Sequence, residues 1–200
     1  MPLSENKIAS DYKVSSSSRR NISKIVLLGD SNVGKTCIIE RLVNSTFNPE
    51  YNMTIGVNLI TKKYAIGPDN YQVLVFSDIS GQTRFADIRK SYYIGVEIVM
   101  AVCDLTDSKT LDNLEKVWIP EFIGSNPVEE GLRTKIQLIG NKFDLKNKLE
   151  ISIYDLEETS SRIGYCHPEV SMLKPCLLTS AKDGLYINES FGVPKNVVFS

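Results

Sequence analysis

One short stretch, GDSNVGKT at residues 29–36, constrains the fold of this chain more than any other. It satisfies the pattern GxxxxGK[ST] through Gly29, Gly34, Lys35 and Thr36, and it lies between the apolar run KIVLL and the segment CIIERLV. The two glycines let the backbone curl so that successive N–H groups point inward at phosphate oxygens. A buried strand before the motif and a helix after it are the context that the motif requires. The sequence therefore predicts a phosphate-binding loop between a strand and a helix.

The polar residues of this loop supply the groups that a nucleotide phosphate needs. The helix that begins near Lys35 adds its N-terminal partial positive charge. The Lys35 ammonium reaches the β- and γ-phosphates as a catalytic group, and the Thr36 hydroxyl ligates Mg²⁺. A chance match to the pattern arises in about 1% of chains of this length, so nucleotide binding is the better interpretation. The expected nucleotide contacts are Asp30, Ser31, Asn32, Val33, Gly34, Lys35, Thr36 and Cys37.

Strand-like and helix-like segments alternate along the rest of the chain. Apolar runs predict buried strands over 24–29, 96–104, 135–140 and 175–181, and a hairpin of 57–66 and 71–77 around the turn GPDN. Apolar periodicity predicts helices over 35–43, 107–124 and 152–164, with Pro120 kinking or ending the second and Gly164 ending the third. This alternation predicts an α/β fold whose sheet is mostly parallel, with helices on both faces.

Composition narrows the class of protein. The 200 residues suffice for one domain with a core, and 42% apolar and 24% charged residues are ordinary for a soluble globular protein. A formal net charge of -1 gives no electrostatic case for nucleic acid or for an anionic membrane. Four cysteines without a CxxC pair favour a reducing, cytoplasmic location. We expect a disordered polar tail over residues 1–21 ahead of one folded domain over 22–200.

Two tetrapeptides at the ends of successive predicted strands identify the base. They are NKFD at residues 141–144 and TSAK at residues 179–182. The Asp144 carboxylate can accept both N1–H and N2–H of guanine, whereas adenine has an acceptor at N1 and no amino group at position 2. The Lys142 stem can cover one face of the base, and the Ala181 N–H can donate to guanine O6. Each tetrapeptide alone is an ordinary polar turn, but both together with the phosphate loop predict GTP or GDP, and an ATPase is disfavoured. The expected contacts are Asn141, Lys142, Asp144, Ser180, Ala181 and Lys182.

With these motifs the chain resembles the Ras-superfamily small GTPases, and most closely the Rab branch. The resemblance runs from about Lys24 to Phe191. TIGVNL at 54–59 resembles Rab switch I, SDISGQTRFADIRKSYYIG at 77–95 resembles switch II, and VCDLTDSKTLDNLEKVW at 102–118 follows the Rab pattern. The resemblance implies the P-loop NTPase (Ras-like) fold, with a six-stranded, mostly parallel sheet and helices on both faces.

The resemblance also implies roles for single residues. Thr54 matches the switch I threonine that contacts Mg²⁺ and the γ-phosphate in the GTP state, and Asp78 matches the acidic residue that holds Mg²⁺ through water. The expected metal residues are therefore Thr36, Thr54 and Asp78. Gly81 matches the glycine whose N–H senses the γ-phosphate. Phe47 falls where the family places an aromatic ring against guanine, and a phenylalanine there equally suits a hydrophobic core.

Gln82 falls on the glutamine that orients the attacking water in this family, four residues after Asp78. The implied activity is slow GTP hydrolysis, on the order of 10⁻⁴ to 10⁻² s⁻¹ without an arginine finger, with Gln82 and Lys35 as catalytic residues. Arg84 is nearby and is expected to have a structural role in switch II. A nucleotide-bound scaffold with little turnover is the alternative, which the presence of Gln82, Thr54 and Asp78 disfavours.

The family also implies partners and exposes departures from its pattern. Effectors, an exchange factor and a GTPase-activating protein are expected at switch regions 47–59 and 78–93, on a monomer. The effector face, which carries phenylalanine, tryptophan and tyrosine in Rab proteins, is matched by Leu59, Ser77 and Tyr93, and Thr83 replaces the glutamate after the catalytic glutamine. Loss of two large rings would change which effectors bind.

Two further departures lie toward the C-terminus. The stretch 164–179 is several residues longer than the family needs, so we expect a surface insertion whose apolar residues pack locally. Gly192 and Pro194 would shorten the C-terminal helix, and the last cysteine is Cys176. The expectation is a chain without its own lipid anchor, cytoplasmic, reaching membranes through a partner.

Overall fold

The strand and helix predicted around the phosphate loop are β1, Ile22–Leu28, and α1, Lys35–Asn44. The computed structural model describes residues 22–48, 54–67, 70–82, 85–126, 133–194 and 199. The predicted tail 1–21, the turn residues 68 and 69, and the positions Thr83 and Arg84 lie outside these described residues. The parts of 47–59 that can be described are 47–48 and 54–59.

The remaining elements alternate as the sequence predicts. The predicted hairpin is β2, Val57–Gly67, and β3, Asn70–Ile79, which pair antiparallel. A short helix that the sequence analysis missed, α2, Ala86–Lys90, comes next, followed by the strand β4, Ile98–Asp104. The last elements are α3, Ser108–Ser125, β5, Lys135–Asn141, α4, Ile153–Cys166, β6, Ser171–Leu178, and α5, Ile187–Ser190.

The sheet has six strands in the order β2-β3-β1-β4-β5-β6, and β2 is the antiparallel strand. Its register brings polar residues to one edge: Leu27 of β1 pairs with Asp78 of β3, and Asp104 of β4 pairs with Asn141 of β5. This edge is where the parallel strands end, which is where ligands of such sheets bind. The predicted fold class is therefore confirmed.

Helices cover both faces of the sheet. On one face, Ile38 and Ile39 of α1 and Ile187 of α5 pack on β1 residues such as Leu27. On the other face, α3 and α4 bury apolar side chains, among them Leu114, Trp118 and Ile163, against alternate strand residues. Strands that are buried on both sides thus appear as continuous hydrophobic segments in the sequence. None of the helices in the described ranges is long and apolar enough to cross a membrane.

Helix α3 covers nearly the whole predicted range 107–124. It continues to Ser125 instead of ending early, and it contains a π-helical turn, Leu114–Trp118, between the α-helical segments Ser108–Asn113 and Ile119–Ser125. The Ile119 N–H bonds the carbonyl of Leu114, five residues back. A proline has no N–H and its ring clashes with the carbonyl four residues earlier, so a wider turn lets the helix continue through Pro120.

Helix α4 begins at the predicted capping box of Ser152 and Asp155 but runs through Gly164 to Cys166. Gly164 does not end the helix: a Cβ there would lie 3.2 Å from Cγ of Met172 in β6, so the glycine allows close packing. The stretch 164–179 is not a surface insertion as expected: it contains all of β6, an edge strand that begins at Ser171 and ends at Leu178 and not at the predicted residues 175 and 181. Between Gln137 and Ile139 of β5 the register advances by four residues on β6, from Leu173 to Leu177. The additional length is therefore a bulge within a strand, and Val170 packs in the core as expected.

Candidate nucleotide site

A cavity of about 320 Å³ opens beyond the carboxyl ends of β1, β3, β5 and β6. Most predicted site residues surround it. Its walls include the predicted residues Ser31, Asn32, Gly34, Lys35, Thr36, Cys37, Phe47, Thr54, Gly81, Asn141, Lys142, Asp144, Ala181 and Lys182. Phe47 lines the cavity and also packs against the core cluster under α1, so core packing is shown and contact with guanine stays a prediction.

The phosphate loop curls where glycine is required. Gly29 and Gly34 have φ angles of 139° and 97°, which L side chains rarely adopt. A Cβ on Gly29 would collide with the carbonyl oxygen of Val102, and a Cβ on Gly34 would collide with the Asn141 amide nitrogen. Asn32 is also left-handed, with φ 66°, a conformation that asparagine tolerates better than most residues.

Lys35 is a buried cation at the start of α1, only 6% exposed. Its Nζ donates to the carbonyl oxygens of Gly29, at 2.8 Å, and Asp30, at 2.7 Å. Burial lowers the pKa of Lys35 to about 8, although the nearby carboxylates of Asp78 and Asp30 oppose the shift. An anion beside this ammonium would favour its charged form, so the loop suits a phosphate.

Three oxygen-bearing side chains meet below the loop. The Thr36 hydroxyl donates to Oδ2 of Asp78 at 2.6 Å and lies 2.8 Å from the Thr54 hydroxyl oxygen. Asp78 is fully buried, and its Oδ1 has no hydrogen-bond partner within the described residues. Burial raises the pKa of Asp78, while the Thr36 hydrogen bond and Lys35 lower it.

This arrangement fits a divalent cation that also binds substrate. Mg²⁺ prefers oxygen ligands and is held by one or two carboxylates together with phosphates. A cation would satisfy the unpartnered Oδ1 of Asp78, which otherwise carries a desolvation cost. Among the described residues no group of three or more His, Cys, Asp and Glu side chains could hold a metal. A metal here would therefore depend on phosphate oxygens as further ligands.

At the other end of the cavity, Asn141 contacts two loops, the phosphate loop and residues 179–182. Its Nδ2 donates to the carbonyl of Val33 in the phosphate loop at 2.9 Å. Its Oδ1 accepts from the Thr179 hydroxyl and from the Ala181 N–H, each at 3.2 Å. The Ala181 N–H, predicted to meet guanine O6, is thus directed at Asn141. Asn141 is 2% exposed, so it acts within this structure as an internal brace.

Asp144 and Lys142 are held in place by neighbouring polar groups. Oδ1 of Asp144 accepts from the Ser180 hydroxyl at 2.8 Å, and Nζ of Lys182 lies 3.9 Å from Oδ2. Nζ of Lys142 forms an ion pair with Asp104 at 2.6 Å. The ion pair fixes the end of the lysine chain while its stem lines the cavity. A carboxylate and an aliphatic stem therefore flank the space at this end.

The end of β3 approaches the phosphate loop closely. A Cβ on Gly81 would collide with the backbone nitrogen of Ser31, so glycine is required there. Gln82 is half-buried and is absent from the cavity wall. Its N–H donates to the Ser80 hydroxyl at 3.4 Å, and its carbonyl accepts from Arg89 at 3.0 Å. The predicted catalytic glutamine thus lies one residue beyond the wall, held by its backbone.

Three predicted nucleotide contacts, and the predicted metal residue Asp78, do not line the cavity with their side chains. Val33 and Ser180 are buried, at 1% and 0% exposure. The Asp30 carboxylate is bound by α3: it accepts from Nδ2 of Asn113 and from Nε1 of Trp118, each at 2.7 Å. No local motif around Asn113 or Trp118 indicates this contact, because it joins residues more than 80 positions apart. The wall also contains residues that the sequence analysis missed, namely Glu40, Asn48, Ile79, Ser80 and Leu145.

The effector-face prediction needs correction. Tyr93 and Ser77 are both 0% exposed, so neither side chain is presented on a surface. Leu59 is 54% exposed, with Ile55 more exposed still. Tyr93 turns inward because its hydroxyl donates to Glu121 of α3 at 2.9 Å and its ring packs edge-on against Phe122. A position matched by sequence thus carries a buried structural tyrosine.

Known proteins resemble this chain over most of its length. The sequence model of the Ras family matches residues 24–192. Ras-related protein Rab7 of Pisum sativum is 34% identical over 178 residues, which is 88% of this chain and 81% of that protein. Ypt/Rab-type GTPase YPT7 of Saccharomyces cerevisiae is 30% identical over 177 residues, 88% of this chain and 81% of the relative. Ras-related protein RABG3a of Arabidopsis thaliana is 30% identical over 173 residues, covering 86% and 80%.

Proposed function

Because this chain belongs to the Ras family, and within it to the Rab branch, we propose that it is a GTP-dependent switch whose phosphate, metal and base contacts are the cavity residues described above. The protein is a small GTPase: it binds guanine nucleotide and hydrolyses GTP to GDP and phosphate. A nucleotide-bound scaffold without turnover is not favoured. The roles of the individual residues in this activity are our proposal.

The observation that carries the proposal is the meeting of Thr36, Thr54 and Asp78 beside Lys35. Thr36 comes from α1 and Asp78 from β3, while Thr54 lies in the segment before β2, so three separate parts of the chain supply one oxygen cluster. Bound Mg²⁺ would offset the negative charge that develops on the phosphate oxygens. Thr36, Thr54 and Asp78 would hold it. Thr54 would contact the ion and the γ-phosphate only in the GTP state.

The protein groups then position and stabilise the reacting phosphate. The loop N–H groups and the Lys35 ammonium hold the β- and γ-phosphates, and the Gly81 N–H reports the γ-phosphate at the start of switch II. Gln82 orients a water for in-line attack on the γ-phosphorus. The bond to the β–γ bridging oxygen breaks, and GDP and inorganic phosphate result. Asp144 would accept the two guanine N–H groups at the opposite end.

Loss of the γ-phosphate releases both switches, which would change binding to regulators and effectors. Rab-type GTPases interact with such proteins in general, and we propose that residues 47–59 and 78–93 form the contact. Action at membranes, in vesicle traffic, is proposed on the likeness to the Rab branch. The altered effector face, with Leu59 and Ile55 exposed, supports partners different from those of other Rab proteins.

Single-turnover hydrolysis of bound GTP, compared between the wild type and Gln82→Leu, tests the proposed role of Gln82. We expect slow hydrolysis in the wild type and a fall of at least tenfold in the variant, because leucine cannot orient water. GDP affinity should be unchanged, since Gln82 is absent from the cavity wall. Equal rates in the two proteins would remove Gln82 from the mechanism.

A further inference from the structure

A buried cation of switch II packs against helix α3. Arg89 of α2 is only 3% exposed. Its Nε donates to Oε1 of Glu121 at 2.6 Å and its Nη2 to Oε2 at 2.5 Å, which is a bidentate pair. The Tyr93 hydroxyl donates to the same carboxylate at 2.9 Å. Burial alone would raise the pKa of Glu121, but the hydrogen bonds from Arg89 and Tyr93 lower it, so Glu121 stays ionised and accepts all three.

The third nitrogen of the guanidinium contacts the main chain of Gln82, whose carbonyl also accepts from the Phe85 N–H at 3.2 Å. Nη1 of Arg89 donates to the carbonyl oxygen of Gln82 at 3.0 Å. The plane lies over Trp118, with 4.6 Å from Cζ to the ring centroid. The indole N–H of the same Trp118 donates to Asp30 in the phosphate loop at 2.7 Å. One stretch of α3, at the π-helical turn and the residues after it, thus holds the backbone of Gln82 and the phosphate loop at once.

We propose that Arg89 is a positioning residue for GTP hydrolysis, which fixes the backbone of Gln82 relative to the phosphate loop through Glu121 and Trp118. The inference rests on the proposed role of Gln82 in hydrolysis. Arg89 itself is absent from the cavity wall. It acts because a glutamine can orient water only when its own main chain is held still, and misplacement by about 1 Å can reduce a rate by a hundredfold.

Arginine is the residue that this geometry requires. A planar guanidinium can bind both carboxylate oxygens, stack on the indole and still direct one N–H at a carbonyl. A lysine keeps the charge and can keep one ion-pair contact with Glu121, but it cannot make these contacts together. Arg89→Lys therefore keeps the positive charge beside Glu121 but loses the contacts that position Gln82. The buried Glu121 carboxylate still has a cation next to it.

The test measures single-turnover GTP hydrolysis and GDP affinity in Arg89→Lys. We expect the hydrolysis rate constant to fall about tenfold while GDP affinity stays within about twofold of the wild type. The double variant Arg89→Met/Glu121→Gln removes both buried charges and should lose hydrolysis to a similar extent. It serves as the deciding variant if Arg89→Lys does not fold. The matched control is Arg162→Ala, since Arg162 forms a bidentate pair with Glu115 on the exposed side of the same helix.

A second readout does not depend on hydrolysis. Trp118 is the single tryptophan of the chain and touches both the Arg89 plane and Asp30, so its fluorescence reports this assembly. In the wild type we expect its emission to differ between the GDP complex and the complex with a non-hydrolysable GTP analogue. In Arg89→Lys that difference should fall by half or more, and in Arg162→Ala it should be unchanged.

Each result has a defined meaning. Hydrolysis at the wild-type rate in both Arg89 variants would overturn the inference, as would a loss of nucleotide affinity equal to the loss of rate, because that pattern marks a purely structural residue. Failure of the proposed function looks different: the wild type and Gln82→Leu would then hydrolyse GTP equally. The fluorescence comparison then tests the Arg89 contacts alone, and an equal response in wild type and Arg89→Lys would show that Arg89 does not link switch II to Trp118.

Discussion

At the scale of single residues, Asp144 is preorganised for a ligand that donates two hydrogen bonds. Ser180 supplies a hydroxyl to one carboxylate oxygen, and Lys182 lies close to the other, so the side chain is oriented at the cavity wall. Preorganised acceptors of this kind discriminate strongly, because a base without matching donors leaves them unpaired.

Asp144→Asn should weaken GDP binding by at least about thirtyfold, or ~2 kcal/mol, because the amide replaces one charged acceptor with a donor. ATP affinity should stay weak in both proteins. Displacement of a fluorescent guanine nucleotide measures both constants. Asp183→Asn, which changes an exposed carboxylate in the adjacent loop, is the control and should bind GDP normally. Equal affinity for GTP and ATP before and after the change would contradict guanine specificity.

How well the sequence predicted the contacts of single residues depended on how far apart the partners lie along the chain. The phosphate loop and the residues from Asn141 to Asp144 form local motifs, so the sequence indicated them and the cavity includes them. The contacts of Asp30 with Trp118 and of Arg89 with Glu121 join distant residues, and no local pattern identifies such pairs. Tyr93 was matched to the effector-face tyrosine of Rab proteins, and that match did not reveal that its ring is buried.

At the scale of elements, α1 connects the two ends of the site. It begins at Lys35 and carries Arg41 two turns later, whose Nε donates to the carbonyl of Ala181 at 2.8 Å and Nη2 to that of Lys182 at 2.5 Å. A third donor, Nη1, reaches the carbonyl of Ser45 at 2.8 Å. One side chain therefore connects α1 to residues 179–182, which we call the base loop.

Arg41→Ala should speed GDP release about tenfold, because charged hydrogen bonds of about 1.5 kcal/mol or more that hold the base loop are lost. Release of a fluorescent GDP analogue into excess unlabelled GDP gives the rate constant. Arg41→Lys should release GDP at an intermediate rate, since it can keep one of the three contacts. An unchanged rate in Arg41→Ala would mean that the base loop needs no such support.

Element boundaries followed the sequence except where long-range packing intervened. The capping box of α4 fixed its start correctly, because both partners are local. Its end moved past Gly164 since that glycine makes room for Met172 of β6. The π-helical turn before Pro120 could not be predicted from the sequence either, because it is one of several ways in which a helix can accommodate a proline.

At the scale of the whole molecule, the sheet and its two helical layers fix the cavity. Gly140 in β5 shows how tightly they pack: a Cβ there would collide with Leu105 and lie 3.0 Å from Leu156. Gly124 in α3 offers the opposite case, because a Cβ at that position would meet no described atom within 4 Å. The two glycines form a matched pair for measuring the tolerance of the core.

Gly140→Ala should lower the free energy of unfolding by about 2 kcal/mol through overpacking. Gly124→Ala should raise it by about 0.5–1 kcal/mol, because alanine restricts the unfolded chain in an open helical position. Urea unfolding at saturating GDP measures both. Similar effects of the two substitutions would contradict the close packing of Leu105 and of Leu156 in α4 against Gly140 of β5.

The Asn141 brace has a consequence for how nucleotide leaves. The same amide contacts the phosphate loop and the base loop, so neither end of the ligand can be uncovered while the other stays fully assembled. Nucleotide release then requires both loops to rearrange together. A protein that displaces one loop would therefore also weaken the contacts of the other loop without touching it. Thermodynamic reciprocity follows: the factor by which that protein weakens nucleotide binding is the factor by which the nucleotide weakens binding of that protein.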